Sequence, residues 1–163
     1  MKNLFLLISL LIGTFVFAQN DSINPERVSY EFFSGKSIDI KKNEGSIYPE
    51  MISGDKIVFQ YSIQHAERPA ISDDEMFESV LFEVDSNWKK FTFKKKMALS
   101  KATYQLGCFC IGRGYHVIDG GYIKGKKLTN GNYLIEADVF IKYDTGVKKK
   151  IKFKGEFKSV NAG

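Results

Sequence analysis

The stretch that most constrains this chain lies near its end, between Tyr133 and Phe157. Tyr133, Ile135, Ala137, Val139, Ile141 and Tyr143 are apolar at every second position, and Glu136, Asp138, Lys142 and Asp144 fall between them. A period of two sends alternate side chains to opposite faces, so the pattern describes a strand with one face buried. After Asp144-Thr145-Gly146, a turn cluster with a glycine free to take positive φ, the alternation resumes. Val147, Ile151, Phe153 and Phe157 now stand against Lys148, Lys150, Lys152, Lys154 and Lys158. The two halves read as a hairpin. Keeping both apolar sets on one face places Tyr143 opposite Val147, and the same register sets Asp138 against Lys152 and Glu136 against Lys154. Two rungs of the lysine ladder are therefore ordinary cross-strand pairing, and alternating lysines also guard an edge strand against aggregation. Lys142, Lys148, Lys149 and Lys150 gather at the tip with no acidic partner but Asp144, which makes the tip the expected place for an anionic ligand.

A hairpin with one apolar face needs further sheet to pack on, and the rest of the chain supplies it. Val28 to Phe33 and Ile38 to Lys41 read as two short strands with Ser34-Gly35 as the turn between them. Lys42-Asn43-Glu44-Gly45 is a second turn, and Pro49 confines any strand near Ile47 to an edge. Gly54-Asp55 launches a clearer strand in which Ile57, Phe59, Tyr61 and Ile63 share a face. Ser72-Asp73-Asp74-Glu75 has the form of a capping box, so a short helix through Met76 and Phe77 is expected before Val80, Phe82 and Val84 return to period two. Asp85-Ser86-Asn87 then turns the chain so that Trp88 to Phe93 pairs back on the preceding strand. Met97 to Leu106 suits a helical turn in its first half and a strand in its second. Six glycines between Gly107 and Gly125 exclude a helix there and favour bent or bulged strands, and Asn130-Gly131 is a turn into the hairpin.

Eight to nine strands with at most one short helix make an all-β chain. An antiparallel β-sandwich of immunoglobulin-like or similar kind is the first expectation, and a calycin-like β-barrel is the alternative. The first eighteen residues stand apart. Lys2, the apolar run from Leu4 to Phe17 and Val16-Phe17-Ala18 have the form of a secretory signal cleaved after Ala18. The run is too short to span a bilayer comfortably, no cysteine marks a lipid-anchored junction, and no later stretch is apolar enough to cross a membrane. Residues 19–26 read as a flexible leader and 27–163 as a single β domain, placed in the periplasm or outside the cell. The whole chain carries a formal charge of +5, and loss of Lys2 with the signal leaves about +4. That balance admits an anionic partner without requiring one. Nucleic acid is not expected, because only Arg27, Arg68 and Arg113 are present and no basic patch is interleaved with aromatic residues.

The residues that could carry chemistry are few. Cys108 and Cys110 are the only cysteines, and an exported chain with two cysteines ordinarily joins them. In a regular strand, residues two apart have Cα atoms about 6.5–7 Å from each other, at or past the limit for bridging, so a disulfide here requires a bend. Gly107 and Gly112 can supply one, and the resulting small ring would be comparatively easy to reduce, so the pair reads as a local or redox-labile disulfide. The other readings are two buried thiols, or a copper or zinc site in which His116, with Met97 or His65, completes the ligand set. The acidic group Asp73, Asp74, Glu75 and Glu78 lacks the glycine and ligand rhythm of a calcium loop and is accounted for by helix capping. Tyr115, Tyr122, Tyr133 and Tyr143 cluster around the glycine-rich turns, and Tyr115 and Tyr122 are the candidates for an aromatic surface. No G-x-S-x-G, H-E-x-x-H, P-loop or dinucleotide fingerprint occurs, and two histidines are a poor basis for a hydrolytic triad. The expected function is accordingly non-enzymatic: an exported module that binds a protein or a cell-envelope polymer. The rivals are a copper- or zinc-handling protein and a carrier of a small apolar ligand inside a barrel.

Overall fold

The computed structural model describes residues 25–67, 75–94, 97–143 and 146–160. Nine strands make up almost all of it: β1 (Arg27–Asn43), β2 (Ser46–Gln64), β3 (Phe77–Asp85), β4 (Lys90–Phe93), β5 (Thr103–Gly107), β6 (Gly114–Val117), β7 (Gly120–Lys127), β8 (Tyr133–Lys142) and β9 (Lys148–Ser159). One 3-10 turn at Met97–Ser100 completes the regular structure. The fold is all-β, as the periodicity requires. Ser72 to Asp74 of the expected helix lie outside the described residues, Met76 has no regular structure, and Phe77 already begins β3.

The strands form one open sheet in the order β4-β7-β8-β9-β1-β2-β3-β5-β6, with β4 and β6 at its edges. Every pairing is antiparallel except that of β1 with β9, which run parallel and meet only through Glu31 opposite Lys158 and Phe32 opposite Ser159. That short joint divides the sheet into two wings, β1-β2-β3-β5-β6 and β4-β7-β8-β9, whose apolar faces meet. Phe59 of β2 stacks on Phe82 of β3 at 5.1 Å between ring centroids. It also meets Tyr133 of β8 edge-on at 5.1 Å and Phe157 of β9 at 5.6 Å. Tyr61 lies flat on Phe153 of β9 at 4.4 Å. Alternate residues of the terminal hairpin, Tyr133, Ile135, Ala137, Val139, Ile141, Ile151, Phe153 and Phe157, are all buried between the wings. Burial of such a side chain contributes roughly 1.5–3 kcal/mol, so this interface is the main source of stability.

The register of β8 on β9 places Asp138 opposite Lys152 and Glu136 opposite Lys154, as the alternation predicts. The Tyr143 N–H donates to the Val147 carbonyl at 2.9 Å, and Gly146 takes φ 83° to close the turn.

Two expectations fail for the same reason: period two fixes which face is buried, not which strand lies alongside. Ser34-Gly35 does not end a strand. β1 runs through it with Gly35 at φ 70° in a bulge, and β2 runs likewise through Gly54, so the two form one long hairpin. Its outer half, beyond the bulge, is an arm laid across the outward face of the first wing. Pro49 sits in the arm opposite Ile40, on a part of β2 that β3 does not reach, which is where a residue without an N–H belongs. The second failure concerns β4, which pairs with β7 rather than with β3, so the chain crosses to the other wing after Asp85.

The arm explains the presence of a carboxylate that packing alone would reject. On β3 the side chains of Glu78, Val80 and Phe82 face the other wing, while those of Ser79, Leu81 and Glu83 face outward beneath the arm. Glu83 is 5% exposed. Its carboxylate accepts the Ile38 N–H at 2.6 Å and the Lys101 ammonium at 3.2 Å, and Lys101 also donates to the Ile38 carbonyl at 2.5 Å. Beyond the bulge β1 has lost β9 as a neighbour, so one acid and one lysine satisfy the backbone group that a strand would otherwise take.

Candidate functional site

Three hairpin tips meet at one end of the molecule: the β1–β2 turn, the β5–β6 connection and the β8–β9 turn. Between them lies an open groove of about 1140 Å³. Tyr48 and Tyr115 form one wall, with rings edge-to-face at 6.4 Å. Tyr143, Val147 and Lys142 form the opposite wall, and the β5–β6 connection, Cys108 to Arg113, closes the third side. Exposed apolar side chains stand on the rim, Ile111 at 98% exposure, Val147 at 61%, Val117 at 52% and Tyr48 at 45%, and Phe109, 78% exposed, lies on the adjoining β5–β6 connection. Arg113 places its guanidinium 5.7 Å from the Phe109 ring centroid.

The bend required by Cys108 and Cys110 is present, and the two form a disulfide with Cα atoms 5.2 Å apart. Gly112 holds the connection in place by what it lacks. Its φ is 86°, and a Cβ there would stand 2.9 Å from the Tyr143 ring, so only glycine fits the turn against that wall. Closing a loop across one intervening residue removes little freedom from the unfolded chain. The chain-entropy relation gives about 1.5 kcal/mol, roughly half the value for a fifteen-residue loop.

The copper or zinc set anticipated from Cys108, Cys110 and His116 does not assemble. The sulfurs are bonded to each other, and His116 Nε2 donates to the Gly112 carbonyl at 2.8 Å while its ring meets Tyr143 edge-on at 5.1 Å. Met97 is buried in the core and His65 is engaged with Glu78. Among the described residues no three or more His, Cys, Asp and Glu side chains converge to hold a metal ion.

The tyrosines divide. Tyr115 and Tyr143 line the groove, but Tyr122 lies on the other wing, where its hydroxyl donates to Glu136 at 2.7 Å and Lys124 Nζ sits 5.3 Å from its ring centroid. Tyr133 is 1% exposed and belongs to the core, with its hydroxyl unpartnered among the described residues. Tyr115 and Tyr122 therefore do not line a common groove.

The four tip lysines divide as well, and the expectation that Asp144 is their sole acid is overturned. Lys149 Nζ lies 2.9 Å from Glu78 and 5.1 Å from the Tyr104 ring centroid; Lys150 lies 3.6 Å from Asp138. Lys148 Nζ stands 5.1 Å over the Phe140 ring, and Lys142 faces the groove while its backbone N–H donates to Asp119 at 2.6 Å. A signal for Lys149 was present in the sequence. It shares parity with Ile151 and Phe153, so the register that buries them turns it inward, where a cation needs an acid.

That acid is Glu78, which sequence reasoning assigned to a capping cluster. Asp73 and Asp74 of that cluster lie outside the described residues. Glu78 has the parity of Val80 and Phe82 and faces the other wing, with 14% of its side chain exposed. Its carboxylate accepts from the Tyr104 hydroxyl at 2.8 Å, from Lys149 at 2.9 Å and from His65 Nε2 at 3.1 Å. Burial alone would raise its pKa. The hydrogen bonds from Lys149 and Tyr104, the lysine charge and the His65 contact outweigh burial and hold it below the ordinary carboxylate value. Burial, then the bond to Glu78, pushes the Tyr104 phenol upward, so Tyr104 is a fixed donor and not a base. This seam ties β3 and β5 to β9 beneath the groove.

The arrangement provides a sticky-rimmed groove on a rigid floor, beside an exposed disulfide. No protein-family model matches the chain, and neither a curated protein nor a solved structure matches it.

Proposed function

We propose that the chain is an exported, non-enzymatic binding module whose groove takes a segment of another protein. The carrying observation is the group of exposed apolar side chains Ile111, Val147, Val117 and Tyr48 on the groove, with Phe109 on the adjoining connection, near the cations Arg113 and Lys142. Scattered exposed apolar residues are ordinary, but a group of them on three converging tips beside positive charge is the composition of a protein-docking surface. An envelope polymer is the weaker fit, because a polysaccharide has no use for the aliphatic tips Ile111 and Val147. Export is supported by the form of residues 1–18.

A photoreactive phenylalanine analogue placed at Tyr115, and at Tyr122 as control, tests the reading in the exported fraction of the source cells. The expected result is a discrete protein adduct from position 115, none from position 122, and loss of the adduct on Ile111→Ser. Equal adducts from both positions, or retention by cell-wall polymer that survives Ile111→Ser, overturns it. Sequencing the N-terminus of the mature chain checks export, with Gln19 the expected first residue.

A further inference from the structure

We propose that the Cys108–Cys110 disulfide is a thiol–disulfide exchange centre, with Cys110 the sulfur that incoming thiolates attack and Cys108 the one that leaves. The two ends of the bond are unlike. Cys110 is exposed, whereas Cys108 is half-buried and packs against the core. The residues either side of Cys110, Phe109 and Ile111, are themselves 78% and 98% exposed, so among the described residues that end of the bond stands open to a thiol. The ring spans one intervening residue and contributes little to the fold, and exposed disulfides of this kind are the ones that exchange rather than the ones that resist reduction. Arg113, over the Phe109 ring, sets a fixed positive charge beside the loop, which favours a thiolate there.

The step balances with a dithiol as co-reactant. One donor thiolate attacks Cys110 Sγ, forming a mixed disulfide as the Cys108–Cys110 bond breaks and Cys108 departs as thiolate. The donor's second thiolate then attacks its own sulfur in that mixed disulfide, leaving as an intramolecular disulfide and freeing Cys110. Two electrons pass from donor to the cysteine pair, and the two protons lost by the donor thiols are taken up by Cys108 and Cys110. Run backwards, the reduced pair reopens a partner's disulfide. With a monothiol, a second molecule performs the second attack.

The oxidised, full-length chain is incubated with glutathione, quenched with an alkylating agent and peptide-mapped. The expected result is a glutathione adduct on Cys110 in ~10-fold or greater excess over Cys108. In a second measurement, catalytic amounts accelerate the recovery of reduced ribonuclease in a glutathione buffer, and Cys108→Ala/Cys110→Ala abolishes the acceleration. A disulfide inert to glutathione, an adduct shared equally between the sulfurs, or identical ribonuclease rates with parent and double variant overturns the proposal. The mapping uses the unaltered chain, so it decides the matter even where the double variant fails to fold.

Discussion

Two strands of this molecule each carry a pair of carboxylates that engage lysines, and they differ chiefly in burial. On β3, Glu78 and Glu83 lie beneath other elements and gather donors drawn from distant parts of the chain, three at Glu78 and two at Glu83. On β8, Glu136 and Asp138 lie on the solvent face of the terminal hairpin and meet Lys124, Lys150, Lys152 and Lys154, nearly all their cross-strand neighbours. The sequence spacing of the second pair announces its partners; that of the first does not. The exposed pair decorates a sheet that the apolar face already holds, whereas each buried carboxylate fixes one element upon another. Glu83 holds the arm and Glu78 holds the far wing.

The comparison breaks most readily at Glu83. Removing its carboxylate with Glu83→Ala leaves the buried Ile38 N–H without an acceptor and reduces Lys101 to its bond with the Ile38 carbonyl, and a loss of ~3 kcal/mol is expected in denaturant unfolding. A loss below about 1 kcal/mol would mean that water replaces the carboxylate and that the arm is held by Ile38 alone.

Next comes Glu78→Gln, expected to cost ~1–3 kcal/mol through the weakened Lys149, Tyr104 and His65 contacts. It also has a pH signature. The folded Glu78 titrates below its ordinary value of 4.5, so the unfolded chain takes up that proton first on acidification. The stability it contributes is complete above the ordinary value and is lost as pH falls through the folded one. The gap between parent and Glu78→Gln should therefore narrow as pH is lowered from neutrality past 4.5, measured by denaturant midpoint at each pH. A gap that widens on acidification would contradict the arrangement.

The smallest effect belongs to the solvent face. Asp138→Asn should leave the melting temperature close to that of the parent, with any difference gone in high salt, because exposed pairs are screened. A salt-resistant loss as large as that of Glu78→Gln would erase the distinction between the two strands.

The same contrast explains what could be read in advance. Tyr133 to Phe157 was legible down to register, because apolar alternation and a short turn determine a hairpin without reference to anything else. Glu44-Gly45 and Asn130-Gly131 were legible as turns on equally local grounds. The arm was not, since Ser34-Gly35 serves a bulge as well as a turn, and only the opposing β2 decides between them. Nor was the partner of β4, because pairing depends on which wing the chain enters. The site was half visible. The Cys108–Cys110 bend followed from bond geometry and flanking glycines, and the inward parity of Lys149 was there to be read. The joining of Tyr48, Tyr115 and Tyr143 across three tips was not, since nothing in their spacing refers to one another.

The parallel joint of β1 to β9 has a consequence for how the chain comes together. Its partners, Glu31 with Lys158 and Phe32 with Ser159, lie nearly the whole described chain apart, and the Val160 N–H reaches back to the Phe32 carbonyl at 3.0 Å. On the ribosome, then, the first strand made must wait for the last before the wings can shut. Until Phe153 and Phe157 emerge, Tyr61 lacks its stacking partner and Phe59 is only partly covered. A topology that reserves its closing contacts for the most distant segments folds slowly and keeps apolar surface open meanwhile. A nascent chain of this kind stays available to holding chaperones until its synthesis ends.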